Sequence, residues 1–263
     1  MSNETVLYEV HEHVARLTLN RPKSLNALNL DMIEALRLST ARAEVDPEVR
    51  AILVTGAGEH FMAGGDLKWF REQLALPPQE RQPLLERCIA EAHQTPQQLR
   101  RCGKPVVVAV RGAVAGFGLS LMLAADLALA ADDAYFTLAY CNIALSPDGG
   151  ATWSLPRAVG MKRAAEIALL GDRFDAQQAL AWGLVNRVVA AAELLPQAEK
   201  LAARLAAGPA EALASTKRLL NASFETTLTE QLHAEQRAFA ACGVNPDFAE
   251  GLAAFFEKRP ARF

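Results

Sequence analysis

The sequence predicts an α/β protein: a largely parallel β-sheet buried on both faces, followed by a helical C-terminal region. Three observations carry this expectation. Short apolar runs alternate with helix-like stretches, and strands separated by helices require crossover connections, which make parallel sheets covered on both sides. Two of those runs stop at glycine-punctuated turns. From about residue 190 onward alanine, leucine and glutamate dominate, glycine is scarce, and the apolar period becomes helical. The length of 263 residues suits one large domain or two small ones at roughly 150 residues each. A hydrophobic fraction of 51% with 22% charged residues is that of a folded chain. The expected division is a core over 1–190 and a helical region over 191–263.

Element by element, Val6–Val10 and Val14–Leu19 alternate apolar with polar around His11-Glu12-His13 and read as a hairpin. A helix is expected from Leu30 to Glu44, stopped by Asp46-Pro47. The run from Arg50 to Thr55 reads as a buried strand ending at Gly56-Ala57-Gly58. Pro105–Val110 repeats that pattern, then Gly112 to Gly118 form a turn into a helix-like Leu119–Ala125. Leu127–Ala131 is a further strand, and Ala151–Ala158 a helix. In the C-terminal region Leu228, Leu232 and Phe239 share one helix face, as do Phe248, Leu252, Phe255 and Phe256.

Several function classes drop out. Lysine and arginine total 27 against 30 acids, a net charge of -3, which gives no reason to expect nucleic acid or an anionic membrane as partner. No uncharged stretch is longer than Gly112 to Ala125, which is too short to span a bilayer. Cys88, Cys102, Cys141 and Cys242 form no C-x-x-C pair and read as reduced thiols. The first ten residues resemble no signal peptide, so a cytoplasmic location is expected. No dinucleotide fingerprint, P-loop, G-x-S-x-G elbow or H-E-x-x-H pair occurs. No metal is expected.

The two glycine turns are the features able to carry chemistry. One runs from Gly56 through Ala63-Gly64-Gly65-Asp66-Leu67, the other from Gly112 through Gly116-Phe117-Gly118 to Ser120. Each follows an apolar strand and enters a helix, where backbone N–H groups lack partners and glycine lets a ligand approach. Two such turns side by side could aim one N–H each at a single oxygen, an oxyanion hole. On the residues alone, the plainer reading of both turns is as tight connections of an α/β sheet. A third feature, Ser146-Pro147-Asp148-Gly149-Gly150, precedes a helix, so Asp148 is either an N-cap or an acid–base group.

These residues, in this order, resemble the enoyl-CoA hydratase/isomerase (crotonase) family. The resemblance covers nearly the whole chain: Leu17 to Leu28 with Asn26-Ala27, Phe61-Met62-Ala63-Gly64-Gly65-Asp66, Gly112 to Gly118, Pro147-Asp148-Gly149-Gly150, Gly183-Leu184-Val185-Asn186 and Glu250 to Lys258. It implies a β-β-α spiral core and a C-terminal helical region that builds homotrimers or dimers of trimers. It implies an acyl-CoA thioester as substrate and no separate cofactor, coenzyme A being part of the substrate. Ala63 and Phe117 would supply the oxyanion-hole N–H groups. Ala63 to Leu67, that is Ala63, Gly64, Gly65, Asp66 and Leu67, would line the coenzyme A site with Ala27 and Gly116. Arg21, Lys23 and Lys258 would be candidates for its phosphates.

The departures from the family point to the reaction. Members that hydrate use two glutamates, whose positions here fall on Ser120 and Tyr140. Asp148 stands where isomerase members carry an acid, and the segment from Pro147 to Arg157 resembles members that isomerise ring epoxides of phenylacetyl-CoA. The resemblance therefore implies an isomerase with Asp148 as proton shuttle. The rivals are a hydratase with an unusual base arrangement and a catalytically silent CoA-binding member. Met62, Trp69 and Phe70 are either pocket lining or core.

Overall fold

The computed structural model describes residues 4–263. Strand β1 (Val6–His11) and β2 (Val14–Leu19) form an antiparallel hairpin. Its two turn residues, Glu12 and His13, have φ of 46° and 63°, the mirror-image turn whose twist matches paired strands. Helix α1 (Leu30–Val45) starts at Asn29, whose side chain accepts the Met32 N–H at 3.1 Å. It buries Met32, Ile33, Leu36, Thr40 and Ala43, one face at helical spacing. Strand β3 (Ala51–Gly56) leads to α2 (Leu67–Gln73) and then α3 (Pro78–Arg101). Strand β4 (Val106–Val110) is followed by β5 (Ala113–Ala115), α4 (Phe117–Leu123), β6 (Leu127–Ala131) and β7 (Tyr135–Thr137). The chain continues through α5 (Ala151–Leu170), β8 (Phe174–Asp175), α6 (Ala176–Ala181) and β9 (Arg187–Val189). Four helices finish it: α7 (Leu194–Ala206), α8 (Ala210–Ala222), α9 (Leu228–Gly243) and α10 (Pro246–Glu257).

The main sheet has the order β1-β2-β3-β4-β6-β9, and every pairing after the hairpin is parallel. A second sheet, β5-β7-β8, lies beside it. Because side chains alternate along a strand, each central strand serves two cores. Ile52 and Val54, Val106, Val108 and Val110 face the larger core with α1, α3, α4 and α5. Ala51, Leu53, Val107 and Ala109 face a smaller one closed by Leu194, Ala198, Ala202 and Ala206 of α7. Alanines at four-residue spacing let that helix lie close on the sheet. Burying each Leu or Ile contributes about 1.5–3 kcal/mol, so β3 and β4 firmly anchor the glycine turns at their ends.

The structure adds elements that the pattern does not reveal. The 24-residue α3 is one, although Cys88, Ala92, Thr95 and Leu99 form its buried stripe. Its prolines, Pro83 and Pro96, obscure it in the sequence. The turn expected over 112–118 contains strand β5, and α4 begins at Phe117, not Leu119. Helix α5 runs past Ala158 to Leu170 with a break at Gly160, φ 74°. Among the described residues no helix is long and apolar enough to cross a membrane. Helix α8 is tied to the core by Lys217, 7% exposed, which pairs with Asp126 at 2.8 Å and donates to the Leu99 carbonyl at 2.7 Å.

Candidate active site

Strands β3 and β4 are parallel neighbours, so the glycine segments leaving them emerge side by side. The Phe61 N–H donates to the Arg111 carbonyl (2.9 Å), the Met62 N–H to Ala113 (3.0 Å), and the Ala115 N–H to Met62 (2.9 Å). Gly112 makes the approach feasible: at φ 53°, a Cβ there would sit 2.1 Å from the Glu59 carbonyl oxygen. Asn26, 0% exposed, ties the segment from below by donating to the Ala57 and His60 carbonyls and accepting the Arg21 N–H.

This ladder decides which N–H groups face a ligand. The Ala63 N–H donates to the Leu25 carbonyl at 3.0 Å, so the expectation that Ala63 supplies an oxyanion donor is corrected: its proton is already engaged. The Gly64 carbonyl accepts from Leu28, and the Asp66 N–H donates to the Leu28 carbonyl. With its two neighbours facing Leu28, Gly65 turns its own N–H away from Leu28. Gly64 packs against the second glycine turn, since a Cβ there would come within 3.2 Å of the Ala115 carbonyl oxygen. Phe117 opens α4, where the N–H has no preceding turn to pair with. Neither the Gly65 nor the Phe117 N–H has a hydrogen-bond partner among the described residues.

Both N–H groups border a cavity of about 390 Å³. Leu28, Ile33, Trp69, Phe70, Ile89 and Leu138 give it an apolar lining, and Gly64, Gly65, Gly116 and Phe117 form one wall. Met62 is wholly buried core and does not line it. Asp148 is the only carboxylate among the lining residues, with Tyr140 beside it.

Asp148 is not the cap of α5. That position belongs to Gly150, in the left-handed region at φ 85°, and no side chain caps the helix. The Asp148 Oδ1 instead accepts a hydrogen bond from the Tyr140 hydroxyl. Its carbonyl accepts from Ser120 Oγ at 2.8 Å, and the Gly149 N–H donates to His93 Nε2 at 3.0 Å. Burial pushes the Asp148 carboxyl up from the usual range, and the hydrogen bond from Tyr140 only partly offsets it. Burial and the adjacent carboxylate push Tyr140 up as well, so it stays a phenol and a donor.

The remaining expected residues divide. Arg21 spends its guanidinium on the Ala27 carbonyl and, at 2.9 Å, on Asp66. Burial would raise the Asp66 carboxyl, but that pair and the Lys68 N–H hold it below the usual range. Asp66 also caps α2. Arg21 and Asp66 thus brace the Gly64–Gly65 segment instead of presenting charge to a ligand. Leu67 and Ala63 line the cavity, whereas Ala27, Lys23 and Lys258 do not. Lys23 is exposed beside Arg21, and Lys258 is exposed at the end of α10.

Three contributors are not apparent from the sequence: Tyr140 as the partner of Asp148, His93 behind it, and Asn26 beneath the glycine segments. Only Asn26 leaves a signal, its place in the Asn26-Ala27 motif. Nothing marks a histidine inside a helix whose own pattern is masked by prolines.

The model of the family described as "Enoyl-CoA hydratase/isomerase" matches residues 9–263. A Rhodobacter capsulatus protein named a probable enoyl-CoA hydratase is 40% identical, covering 100% of this chain and 99% of its own length. The Escherichia coli 1,2-epoxyphenylacetyl-CoA isomerase is 37% identical, covering 99% and 98%. Among solved structures, an enoyl-CoA hydratase from Polaromonas superposes with a TM-score of 0.92 at 36% identity, covering 98% of each chain.

Proposed function

This chain belongs to the enoyl-CoA hydratase/isomerase family, and on that premise we propose that it isomerises an acyl-CoA thioester, with Asp148 moving the proton. The observation that carries this reading is that Asp148 is the only carboxylate among the residues lining the cavity. The thioester oxygen would accept from the Gly65 and Phe117 N–H groups, which stabilise the charge of an enolate. Tyr140 holds Oδ1, leaving Oδ2 to take a proton from one substrate carbon and return it to another. Adding water needs the water deprotonated and a carbon protonated, and Ser120 and Tyr140 offer no second base for that work. Hydratase is the second reading, favoured by the names of several relatives. The apolar, aromatic lining supports a bulky apolar acyl group. Coenzyme A would run past Gly64 to Leu67, with Lys23 and Lys258 as phosphate contacts.

Mass spectrometry separates the two readings. Incubation with a panel of aliphatic and aryl enoyl-CoAs is expected to give products of unchanged mass but altered chromatographic retention, and net addition of water would establish the hydratase.

The same reading includes a homotrimer, or a dimer of trimers, built through the C-terminal helices. Phe239, Phe255 and Phe256 are 81%, 77% and 77% exposed, too much aromatic surface for an isolated subunit. Sedimentation at micromolar concentration is expected to show the assembled species, with Phe255→Glu shifting it toward monomer. A monomeric wild-type chain would overturn the assembly.

A further inference from the structure

One peptide group in the site is held at both edges by side chains from two different helices. The Asp148 carbonyl oxygen accepts from Ser120 Oγ of α4 at 2.8 Å. The N–H on the other edge of that peptide, belonging to Gly149, donates to His93 Nε2 of α3 at 3.0 Å. Ser120 is 1% exposed, and Gly149, at φ 61°, is packed so closely that a Cβ would lie 2.7 Å from Ser120 Cβ and 3.1 Å from the Phe117 ring.

A peptide plane gripped at its C=O and its N–H cannot rotate about its long axis. That rotation couples to the direction of the Asp148 Cα–Cβ bond, and so to where the carboxylate sits. We propose that Ser120 and His93 are positioning residues that clamp the Asp148–Gly149 peptide and thereby aim Asp148 at the reacting carbon. The proposal rests on the reading of Asp148 as the acid–base group. It also fixes the state of His93. An imidazolium has no acceptor, and a neutral ring accepts at only one nitrogen. Nε2 therefore carries no proton, and Nδ1 does. Ser120 stands at one of the positions where hydrating members place a glutamate, so the clamp gives that position a use without a carboxylate.

Satisfying a buried backbone group is the plain alternative; it alters stability alone, whereas a clamp alters turnover. A displacement near 1 Å can cost up to about 10²-fold in rate. His93→Leu is expected to lower kcat about tenfold or more, with KM little changed. His93→Gln, which keeps an acceptor, is expected to recover most of that loss, and Ser120→Ala to show a similar drop. A readout independent of activity is the ¹⁵N spectrum of histidine-labelled protein at neutral pH. The His93 signals, identified by their loss in His93→Gln, are expected to show Nε2 unprotonated and Nδ1 protonated. The opposite tautomer or an imidazolium would overturn the clamp even where His93→Leu fails to fold. So would a folded His93→Leu with full kcat beside an inactive Asp148→Asn. Wild-type turnover in Asp148→Asn would instead remove the acid–base reading itself, and the clamp with it.

Discussion

Asp148→Asn is expected to lose about 10²–10⁴-fold in turnover while still binding acyl-CoA. Asparagine matches the size of aspartate and still accepts from the Tyr140 hydroxyl, but it cannot take up a proton. The N–H groups of Gly65 and Phe117 are untouched, so binding persists. Because burial raises the Asp148 carboxyl, the acid limb of the wild-type pH–rate profile is expected above the usual carboxylate value of about 3.9. Activity falls as pH drops through that raised value, and the variant lacks the limb. Stability runs the other way. A carboxyl raised on folding favours the native state below its unfolded pKa, and that contribution is lost as pH rises through the folded value. At neutral pH the buried charge therefore costs stability, and Asp148→Asn is expected to melt no lower than wild type. Tyr140→Phe removes a contact that lowers the Asp148 pKa, so it is expected to shift the acid limb upward with a smaller loss of turnover. A fully active Asp148→Asn enzyme, or an inactive Tyr140→Phe one beside it, would overturn the assignment.

The parallel core and the site differ in how far they can be read from sequence. Strands such as Val106–Val110 are apolar throughout because both faces are buried, and that continuous pattern is visible without coordinates. The paired turns follow from it, since neighbouring strands deliver Gly64–Gly65 and Gly116–Phe117 to one place. Which N–H is available is another matter. Ala63 and Gly65 are two residues apart in a glycine-rich turn, and only the bond from the Ala63 N–H to the Leu25 carbonyl, with the bridge of Gly65 to Leu28, shows which is spent. The Asp148 network joins α3, α4, the Tyr140 turn and the residues before α5, four separate stretches of chain. Long-range polar pairs of that kind leave no periodic trace. Short strands such as β8, only two residues long, leave none either.

Phe117→Pro is expected to cost on the order of 10²–10³-fold in turnover, the typical loss when one oxyanion donor is removed. The position suits the experiment. Phe117 is the first residue of α4, where proline is tolerated because its fixed φ fits a helix and no intrahelical N–H bond is broken. The residue before it is Gly116, which has no Cβ to clash with the proline ring. Phe117 is also 3% exposed, so losing its ring disturbs the core whatever replaces it. The informative comparison is therefore Phe117→Pro against Phe117→Ala: both lose the ring, and only proline loses the N–H. Circular dichroism and melting temperature establish that the two variants are equally folded. With folding matched, the alanine variant is expected to keep most of its activity and the proline variant to keep little, mainly through kcat, because an enolate oxygen accepts more strongly than a thioester carbonyl. Equal turnover in the two folded variants would show that the Phe117 N–H does not stabilise the transition state. The oxyanion-hole assignment for the two glycine turns would then fail, while the proton-transfer role of Asp148 would stand or fall on its own test.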